Sequence, residues 1–319
     1  MTQEQDELKE KNILVTGGAG FIASHIVDRL APENNVFVLD NLFTGQMSNL
    51  ERVKDRITFV EGDIRDRETV NEVVSRVDYI FHLAAHVGNI RSLKDPYFDM
   101  EVNVVGMINL LEACRKSEVK RLVYSSSGAI FGEAKYLPID EDHPLNPESP
   151  YAVSKLAAEK YAFAYHKVYG IPTVTVRYFN AYGPRQDSSE YANAVSIFLS
   201  LTKEGKPVTI FGNGEQTRDF IFIDDIIRAN ILAATRPAAA GEIFNISSGE
   251  VHDIKQLIDL IAKVSGKEVL FSHANFRAGE VRHSKANIDK ARKLLGFGPQ
   301  TDLEEGLRQT WMALTETRV

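Results

Sequence analysis

The length, composition and charge of the chain are those of a soluble globular protein. Its 319 residues are 44% hydrophobic and 25% charged, which supports one large domain or two coupled ones. The net charge of −7 excludes an overall attraction to nucleic acid or anionic membranes, and the single cysteine favours a reducing cytoplasm. No apolar run approaches the roughly 20 residues of a membrane span, so we expect a cytoplasmic protein with a polar leader at residues 1–10.

The first half of the chain alternates strand and helix patterns. Short β-branched runs recur at residues 13–16, 36–40, 57–60, 79–84, 121–126 and 173–178. The stretches between them carry apolar residues at helical spacing. Strands that are apolar throughout, alternating with helices, predict a parallel sheet covered on both faces. The expected fold is α/β, a doubly wound parallel sheet of the Rossmann type.

The second half is less regular and predicts a smaller, mixed α/β lobe. Turns rich in Gly, Asn and Pro separate helices that we expect near residues 192–204, 224–235, 253–265 and 302–315. The run at 243–248 resembles one more buried strand, which would return to the first sheet. No repeat or flexible linker is visible, so an extensive interface between the two lobes is expected.

A glycine-rich turn follows the first strand at residues 16–24 and opens a helix. Gly17 and Gly20 allow the backbone to approach a pyrophosphate at the helix N-terminus, where free N–H groups favour anions. Asp40 ends the second strand, where a carboxylate can bind an adenosine ribose. The alternatives are a turn that uses glycine for steric reasons and an ordinary strand-terminal aspartate. Since Asp40 would repel a 2′-phosphate, the pattern favours NAD over NADP.

A tyrosine and a lysine share one face of the helix predicted over residues 149–170. Ser149 provides the N-cap, Pro150 the first turn and Gly170 the exit. Tyr151 and Lys155 are four residues apart, and a cation beside a phenol favours the phenolate. Such a pair could act as a base near neutral pH; taken alone, two unrelated surface residues are the alternative.

Seven segments, in order, carry a family resemblance. They are TGGAGFIAS, Asp40, GDI (62–64), HLAA (82–85), SSSGAIFG (125–132), YAVSK (151–155) and RYFNAYGPRQ (177–186). Over about residues 11–315 the chain resembles the extended short-chain dehydrogenases/reductases, and among them the nucleoside-diphosphate-sugar 4-epimerases. The resemblance implies an NAD-binding Rossmann domain at 11–179, joined by about 219–248. It implies a nucleotide-sugar-binding lobe at 180–218 and 249–319.

The resemblance implies three catalytic residues. Tyr151 would remove the proton of the sugar 4-hydroxyl while the hydride passes to NAD, and Ser127 would hydrogen-bond the same oxygen. Lys155 would hold the nicotinamide ribose and lower the pKa of the tyrosine. A 4-keto sugar would then turn over in the pocket and take the hydride back on its other face.

The resemblance also implies a path for the cofactor along the edge of the sheet. Gly17, Gly20, Phe21 and Ile22 would lie at the pyrophosphate, and Asp40, Asn41, Thr44 and Gly45 at the adenosine ribose. Asp63 and Ile64 would lie at the adenine. The rest of the path would be lined by Leu83, Ala84, Ala85, Asn103, Ser125 and Tyr178, together with Tyr151 and Lys155. For Asn103, a structural hydrogen bond between helix and loop is an equal alternative.

The substrate residues that the resemblance implies lie mostly in the second lobe. Arg218 and Arg277 would bind the diphosphate, and the alternative for them is a solvated arginine or an ion pair with Asp219, Asp224 or Glu280. Asn180 would contact the diphosphate, Glu280 the ribose, and Thr209 and Phe211 a uracil. Asn193, Ala194 and Ser127 complete the set. Ser284 is small where some relatives have Tyr, so N-acetylated hexoses should fit as well as glucose and galactose.

Rival functions differ in the residues that follow Ser127. Dehydratases and decarboxylases of this family place acids there, whereas this chain has Gly128 and Ala129, which cannot transfer protons. A 4-ketosugar reductase would exchange NADPH, against which Asp40 argues. A non-catalytic NAD-binding sensor is the alternative outside enzymes.

Two further expectations concern partners and metals. The helices at about 100–117 and 151–169 carry apolar residues on more than one face. In the family such helices pair across a twofold axis, so a homodimer is expected, with a core packed within one chain as the alternative.

His82 and His86 are the nearest approach to a metal motif, and they fall on a strand end and a loop; no metal is expected.

Overall fold

The computed structural model describes residues 8–187, 193–275 and 281–316. The strands are β1 Asn12–Thr16, β2 Asn35–Asp40, β3 Ile57–Glu61, β4 Tyr79–His82, β5 Arg121–Ser127, β6 Thr173–Tyr178, β7 Ala181–Tyr182, β8 Val208–Phe211, β9 Thr217–Arg218, β10 Ile221–Phe222, β11 Ile243–Ile246, β12 His252–Asp253 and β13 Phe271–Ala274. The α-helices are α1 Phe21–Leu30, α2 Arg67–Val74, α3 Asn89–Lys94, α4 Pro96–Met100, α5 Gly106–Cys114, α6 Pro150–Tyr169, α7 Ala194–Glu204, α8 Ile223–Thr235, α9 Ile254–Ser265, α10 Asp289–Leu295 and α11 Leu303–Thr315.

Seven parallel strands form the central sheet, in the order β11-β6-β5-β4-β1-β2-β3. From β1, the chain first adds β2 and β3 on one side of that strand. It then adds β4, β5, β6 and β11 on the other side. This reversal is the doubly wound arrangement, and it puts the switch point between β1 and β4, where ligands bind in such sheets. The predicted Rossmann-type α/β fold is confirmed.

Alternate residues of the first strand serve two separate apolar cores. In β1, Ile13 and Val15 belong to the core that also includes α1 and α8, whereas Leu14 belongs to the core that includes α2 and α5. Because side chains alternate across a strand, a strand buried on both faces must be apolar throughout. That requirement explains the continuous β-branched runs of the sequence.

Outside the central sheet, the described residues form three two-stranded sheets, which pair β10 with β7, β12 with β9 and β13 with β8. The helices predicted near residues 192–204, 224–235, 253–265 and 302–315 correspond to α7, α8, α9 and α11. The strand predicted at 243–248 corresponds to β11, which pairs with β6 in the central sheet. The domain boundaries themselves stay a prediction.

The helix predicted at about 100–117 is interrupted. A short helix, α4, leads into a π-helical turn at Glu101–Val105, and α5 continues from Gly106. The wider turn carries Asn103, which is buried and bonded to the loop after β4. A π turn of this kind often marks a functional site, and here it lies next to α6.

No helix within residues 8–187, 193–275 and 281–316 combines the length and the apolar character needed to cross a membrane.

Candidate active site

The glycine-rich turn brings backbone, and not side chains, to the edge of the sheet. Gly17 has φ 68°, and a Cβ there would lie 2.8 Å from the backbone of Ala84. Gly20 stands at the N-cap of α1, and no side chain caps that end of the helix. The free N–H groups around Phe21 and Ile22 therefore fit a pyrophosphate. The backbone N–H groups of Leu83 and Ala84 bond Thr16, which fixes the opposite wall of this turn.

Asp40 lies at the carboxyl end of β2, and two backbone N–H groups fix the orientation of its carboxylate. Its carboxylate accepts hydrogen bonds from the N–H groups of Ala19 at 2.9 Å and Leu42 at 2.8 Å. Burial raises the pKa of Asp40, and these two bonds oppose that effect. A Cβ on Gly45 would lie 2.9 Å from both carboxylate oxygens, so only glycine lets the loop lie against them. These contacts fit the predicted ribose site, in which Thr44 is exposed.

The residues predicted at the adenine and the ribose are joined to each other. The Asn41 side-chain amide donates to Asp63 at 2.8 Å, and Arg65 donates to both oxygens of Asp63. Burial alone would raise the pKa of Asp63, but the bonds from Arg65 and Asn41 hold it below its ordinary value. The neighbouring Ile64 is buried. Arg65, which the sequence analysis did not single out, thus orders this end of the site.

Asn103 is engaged entirely within the protein. Its amide nitrogen lies within 3.2 Å of the His86 carbonyl, the Asp99 carboxylate and the Ser154 hydroxyl, and its oxygen accepts from the His86 N–H at 2.8 Å. This is the helix-to-loop bond that the sequence left open as an alternative. The contact of Asn103 with the cofactor stays a prediction.

Ser127 and Tyr151 meet at the carboxyl end of β5. The Ser149 hydroxyl caps α6 by accepting from the Ala152 N–H, and this fixes the first turn that carries Tyr151. The Tyr151 phenol lies close to the Ser127 side chain. Burial raises the pKa of Tyr151 to about 12, the Asp99 charge acts in the same direction, and the Ser127 side chain opposes both. A positive charge brought beside this phenol would favour the phenolate.

Lys155 is buried one turn further along α6. Its ammonium donates to the Ser125 carbonyl at 2.5 Å and lies 4.6 Å from the centre of the Tyr124 ring. Burial lowers the pKa of Lys155 to about 7, and the carboxylates of Asp99 and Glu159 oppose that shift. Strand β6 ends beside it at Tyr178, whose hydroxyl donates to Asn230 at 2.9 Å.

A buried ion pair that was not predicted from the sequence lies behind these residues. Arg177 on β6 donates to Glu159 on α6 at 2.6 and 3.0 Å, and both side chains are at most 2% exposed. The Ser126 hydroxyl donates to the same carboxylate at 3.1 Å. The pair therefore ties α6 to the strands that end at Ser127 and Tyr178. Glu159 lies one turn after Lys155, a spacing that could have indicated it.

The four residues that follow Ser127 carry no side chain that can transfer a proton. Gly128–Phe131 form a 3-10 turn, and a Cβ on Gly128 would lie 3.2 Å from the Phe179 ring. Glu133, the next acid in sequence, accepts a bond from the Arg282 N–H in the second lobe. The described part of the chain also holds no group of three or more His, Cys, Asp or Glu side chains able to bind a metal.

The second lobe brings Arg218 and Ser284 together through Thr217. The Ser284 N–H donates to the Thr217 carbonyl at 3.2 Å, and Arg218 donates to the carbonyls of Thr217 and Arg282. Ser284 is 9% exposed. Thr209 and Phe211 lie on β8 of a separate small sheet. Arg277 and Glu280 lie outside the described residues.

Asp219, which the sequence named only as a possible ion-pair partner, organises this region. Its fully buried carboxylate accepts from the N–H groups of Ser248, Gly249 and Ala286 and from the Ser248 hydroxyl. Its carbonyl accepts from the Asn180 side chain at 3.0 Å. The predicted substrate residue Asn180 is thus held in place by Asp219.

Asn193 and Ala194, two other predicted substrate residues, begin α7. The side chain of Asn193 caps the helix by accepting from the Ser196 N–H at 3.3 Å, and it donates to the Ala181 carbonyl at 2.6 Å. Asn193 therefore has a structural role at the start of this helix, and its contact with substrate stays a prediction.

Comparison with known proteins identifies the family. The model of the NAD dependent epimerase/dehydratase family matches residues 13–247. This protein belongs to that family. A putative UDP-glucose 4-epimerase from Methanocaldococcus jannaschii is 41% identical over 305 residues, which cover 94% of this chain and 98% of the relative. The resemblance found in the sequence is confirmed.

Solved structures agree with this assignment. A UDP-N-acetylglucosamine 4-epimerase from Methanobrevibacter ruminantium is 36% identical with a TM-score of 0.93, over 96% of this chain and 99% of that one. A UDP-glucuronic acid 4-epimerase from Bacillus cereus, solved with NAD, is 34% identical with a TM-score of 0.89, over 96% and 99%. NAD is the cofactor of this family, and the predicted cofactor is confirmed.

Proposed function

We propose that this protein is an NAD-dependent UDP-sugar 4-epimerase that inverts carbon 4 of UDP-glucose and UDP-galactose through a transient 4-keto sugar. The placement of Tyr151 next to Ser127, beside buried Lys155 and with no acid directly after Ser127, carries the proposal. The named relatives and solved neighbours act on UDP-sugars at the same carbon, which supports the reaction class. They differ in the sugar, so the choice of hexose is the finer part of the proposal.

In this reaction one residue transfers a proton and two others position the sugar and the cofactor. Tyr151 takes the proton of the sugar 4-hydroxyl as the carbon is oxidised and returns it when the carbon is reduced. Ser127 holds the same oxygen by a hydrogen bond, and Lys155 fixes the nicotinamide ribose. NAD, held along the edge from Gly17 and Asp40 to Tyr178, supplies the acceptor and donor of hydride when bound.

The lack of a second acid–base pair explains why the keto sugar is returned to a hexose. Elimination or decarboxylation requires proton transfer at other carbons. Gly128 lies against Phe179, and Ala129 offers only a methyl group and a backbone N–H, which donates to the Ser127 hydroxyl. Rotation of the keto sugar, followed by return of the hydride to its other face, is the remaining outcome.

The sugar pocket favours acceptance of N-acetylated hexoses. Ser284 is small, nearly buried and held by Thr217 beside Arg218. A hydroxymethyl side chain leaves room that a phenol would fill. UDP-GlcNAc and UDP-GalNAc are therefore substrates together with UDP-glucose and UDP-galactose in this proposal.

A second copy of the chain is proposed to cover one face of α6. Val153, Tyr161 and Val168 are exposed at spacings that place them in one stripe along this helix. Leu93, Tyr97 and Met100 are exposed on the adjoining α3 and α4. Contiguous exposed apolar surface of this kind is typical of protein interfaces. A homodimer formed through these helices would bury both stripes.

One product assay tests the proposed reaction. The purified protein is incubated, without added NAD, with UDP-glucose, UDP-galactose, their N-acetyl counterparts and UDP-glucuronate in separate reactions, and the products are separated. Interconversion of the 4-epimers supports the proposal, and the pairs that react define the sugar. No interconversion, or accumulation of a dehydrated keto sugar, rejects it.

A further inference from the structure

A buried carboxylate, Asp99, lies against the catalytic helix. It belongs to α4, is fully buried, and accepts a hydrogen bond from the Ser154 hydroxyl at 2.5 Å. Ser154 precedes Lys155 directly on α6, and its hydroxyl also lies 3.0 Å from the Tyr151 carbonyl. Asp99 is therefore joined to the turn of helix that carries both proposed catalytic groups.

The partners of Asp99 provide hydrogen bonds without a permanent positive charge. Besides Ser154, the groups bonded to it within the described residues are the Asn103 amide at 3.2 Å and the His86 ring at 3.4 Å. An ionised carboxylate in a protein interior is costly unless a positive charge balances it. The hydroxyl and the amide carry no charge, and the His86 ring balances Asp99 only when that ring is protonated.

The other buried carboxylate near Lys155 is already balanced. Glu159 forms its ion pair with Arg177, which donates to both of its oxygens. Lys155, in turn, is buried and bonds a neutral carbonyl. One carboxylate and one ammonium thus remain on the two sides of the same turn of α6. In this arrangement, the negative charge of Asp99 can balance the positive charge of Lys155.

The groups that face Lys155 come from several elements. Lys155 lies over the Tyr124 ring on β5, and it interacts electrostatically with His82 on β4, Glu159 on α6 and Asp99 on α4. Behind these groups, Arg177 on β6 pairs with Glu159, and His86 in the loop after β4 lies 3.4 Å from Asp99. The His82 imidazole is neutral near pH 7, because burial lowers its pKa to about 3. Among the acids of this set, only Asp99 acts on Lys155 without a bonded arginine.

We propose that Asp99 is the counter-ion of Lys155: a positioning residue that keeps the ammonium protonated from the far side of α6 and does not itself contact substrate or cofactor. Burial favours the neutral amine of Lys155, and the Asp99 charge opposes it. Without Asp99 the amine would lose its proton at lower pH, and Tyr151 would lose the cation beside it. The charge relation rests on the burial of Asp99, on its bond to Ser154 next to Lys155 and on the electrostatic effect of Asp99 on Lys155. Its effect on turnover rests on the proposed epimerase reaction.

The direct test measures the ionisation of Lys155 in the NAD-containing protein. Lysine labelled with 13C at Cε is followed by NMR as the pH is raised, and the Lys155 signal is assigned by its loss in Lys155→Met. In Asp99→Asn the midpoint should fall by about one pH unit, a tenfold change in the acid constant. Ser154→Ala, which removes a hydrogen bond but no charge, is the matched control and should stay close to wild type.

Tyr151 is unsuitable as the reporter, because Asp99 and Lys155 act on its pKa in opposite directions. The activity measurement is the alkaline limb of kcat, which should move to lower pH in Asp99→Asn together with the Lys155 midpoint. An unchanged Lys155 midpoint in Asp99→Asn overturns the proposal. A shifted midpoint in a protein that epimerises nothing supports the proposal and rejects the proposed function.

A measurement on the wild-type fold covers the case in which Asp99→Asn does not fold. Coupling between two charges is reciprocal, so the Asp99 carboxyl carbon should show an inflection at the Lys155 midpoint. Lys155→Met should remove that inflection. A flat Asp99 signal through the titration of Lys155 would show that the two charges are independent and overturn the proposal.

Discussion

The Lys155 ammonium donates to the carbonyl of Ser125, two residues before Ser127 in the same strand. This bond joins α6 to β5, and the contact between Tyr151 and Ser127 joins them again one turn earlier. The helix and the strand thus hold each other at two points, with the Arg177–Glu159 ion pair behind them. In the proposed reaction, such support would hold the phenol and the hydroxyl at one reacting oxygen, as a proton transfer requires.

Tyr151→Phe should abolish epimerisation while NAD stays bound. Removing a positioned acid–base group typically costs about 10²- to 10⁴-fold in rate, whereas the ring and its packing remain. Turnover and NAD content are measured on the same preparation. Tyr169→Phe, at an exposed tyrosine at the end of the same helix, is the control and should behave as wild type. Retained turnover in Tyr151→Phe would remove this residue from its proposed role.

Local patterns predicted the sheet and the catalytic helix well. The strands were visible because burial on both faces requires continuous β-branched runs, and α6 because Ser149, Pro150 and Gly170 mark its ends. The helix cap is seen as predicted: Ser149 bonds the Ala152 N–H, and Gly170 has φ 71°. The resemblance supplied the cofactor, since a glycine turn alone also fits a purely steric role.

The supporting network could not be predicted from local patterns. Asp99 and Ser154 are 55 residues apart in sequence, and a buried acid looks no different from a solvated one in a helical pattern. The π turn at Glu101–Val105 adds to the difficulty, because it shifts the register of the helix and turns Asn103 inward. Arg177 was read only as part of a motif, although its guanidinium is buried against Glu159 and the Phe131 ring.

Ser284→Tyr should exclude N-acetylated sugars selectively. A phenol in a nearly buried position costs about 1 to 3 kcal/mol when it competes with a ligand group for space, which is about 5- to 150-fold in kcat/KM. UDP-glucose and UDP-GlcNAc are compared on the wild type, Ser284→Tyr and the small control Ser284→Ala. Equal loss on both sugars, or none on either, would contradict the proposed place of Ser284.

Breaking the buried ion pair should destabilise the fold strongly. Glu159→Gln leaves the Arg177 guanidinium without its anion, and loss of one partner of a buried pair costs about 3 to 5 kcal/mol. Urea unfolding gives the free energy of unfolding for each variant. The double variant with Arg177→Met should lose less than the sum of the two single variants. Lys263→Met, in an exposed pair with Glu304, is the control and should change stability by less than about 1 kcal/mol.

A charge placed in the apolar stripe of α6 should separate the proposed dimer. Val168 is 70% exposed in one chain, so Val168→Glu is tolerated by the monomer but would bury an unpaired charge in an interface. Light scattering is expected to give the mass of two chains for the wild type and one for Val168→Glu. Met312→Glu, on the exposed face of α11, controls for added charge. A wild-type mass of one chain would contradict the proposed pairing.

The buried His82 should limit stability in acid. Its ring lies 2.8 Å from the Thr16 hydroxyl, and burial together with the Lys155 charge lowers its pKa from 6.5 to about 3. Between these values the unfolded chain binds the proton and the folded chain does not, so stability falls as the pH drops below 6.5. The loss is roughly 1.4 kcal/mol per pH unit and ends near the folded pKa. His82→Asn should remove this part of the slope of unfolding free energy against pH, while His273→Asn, at an exposed site, should keep it. Parallel slopes for wild type and His82→Asn would mean that other groups cause the acid loss.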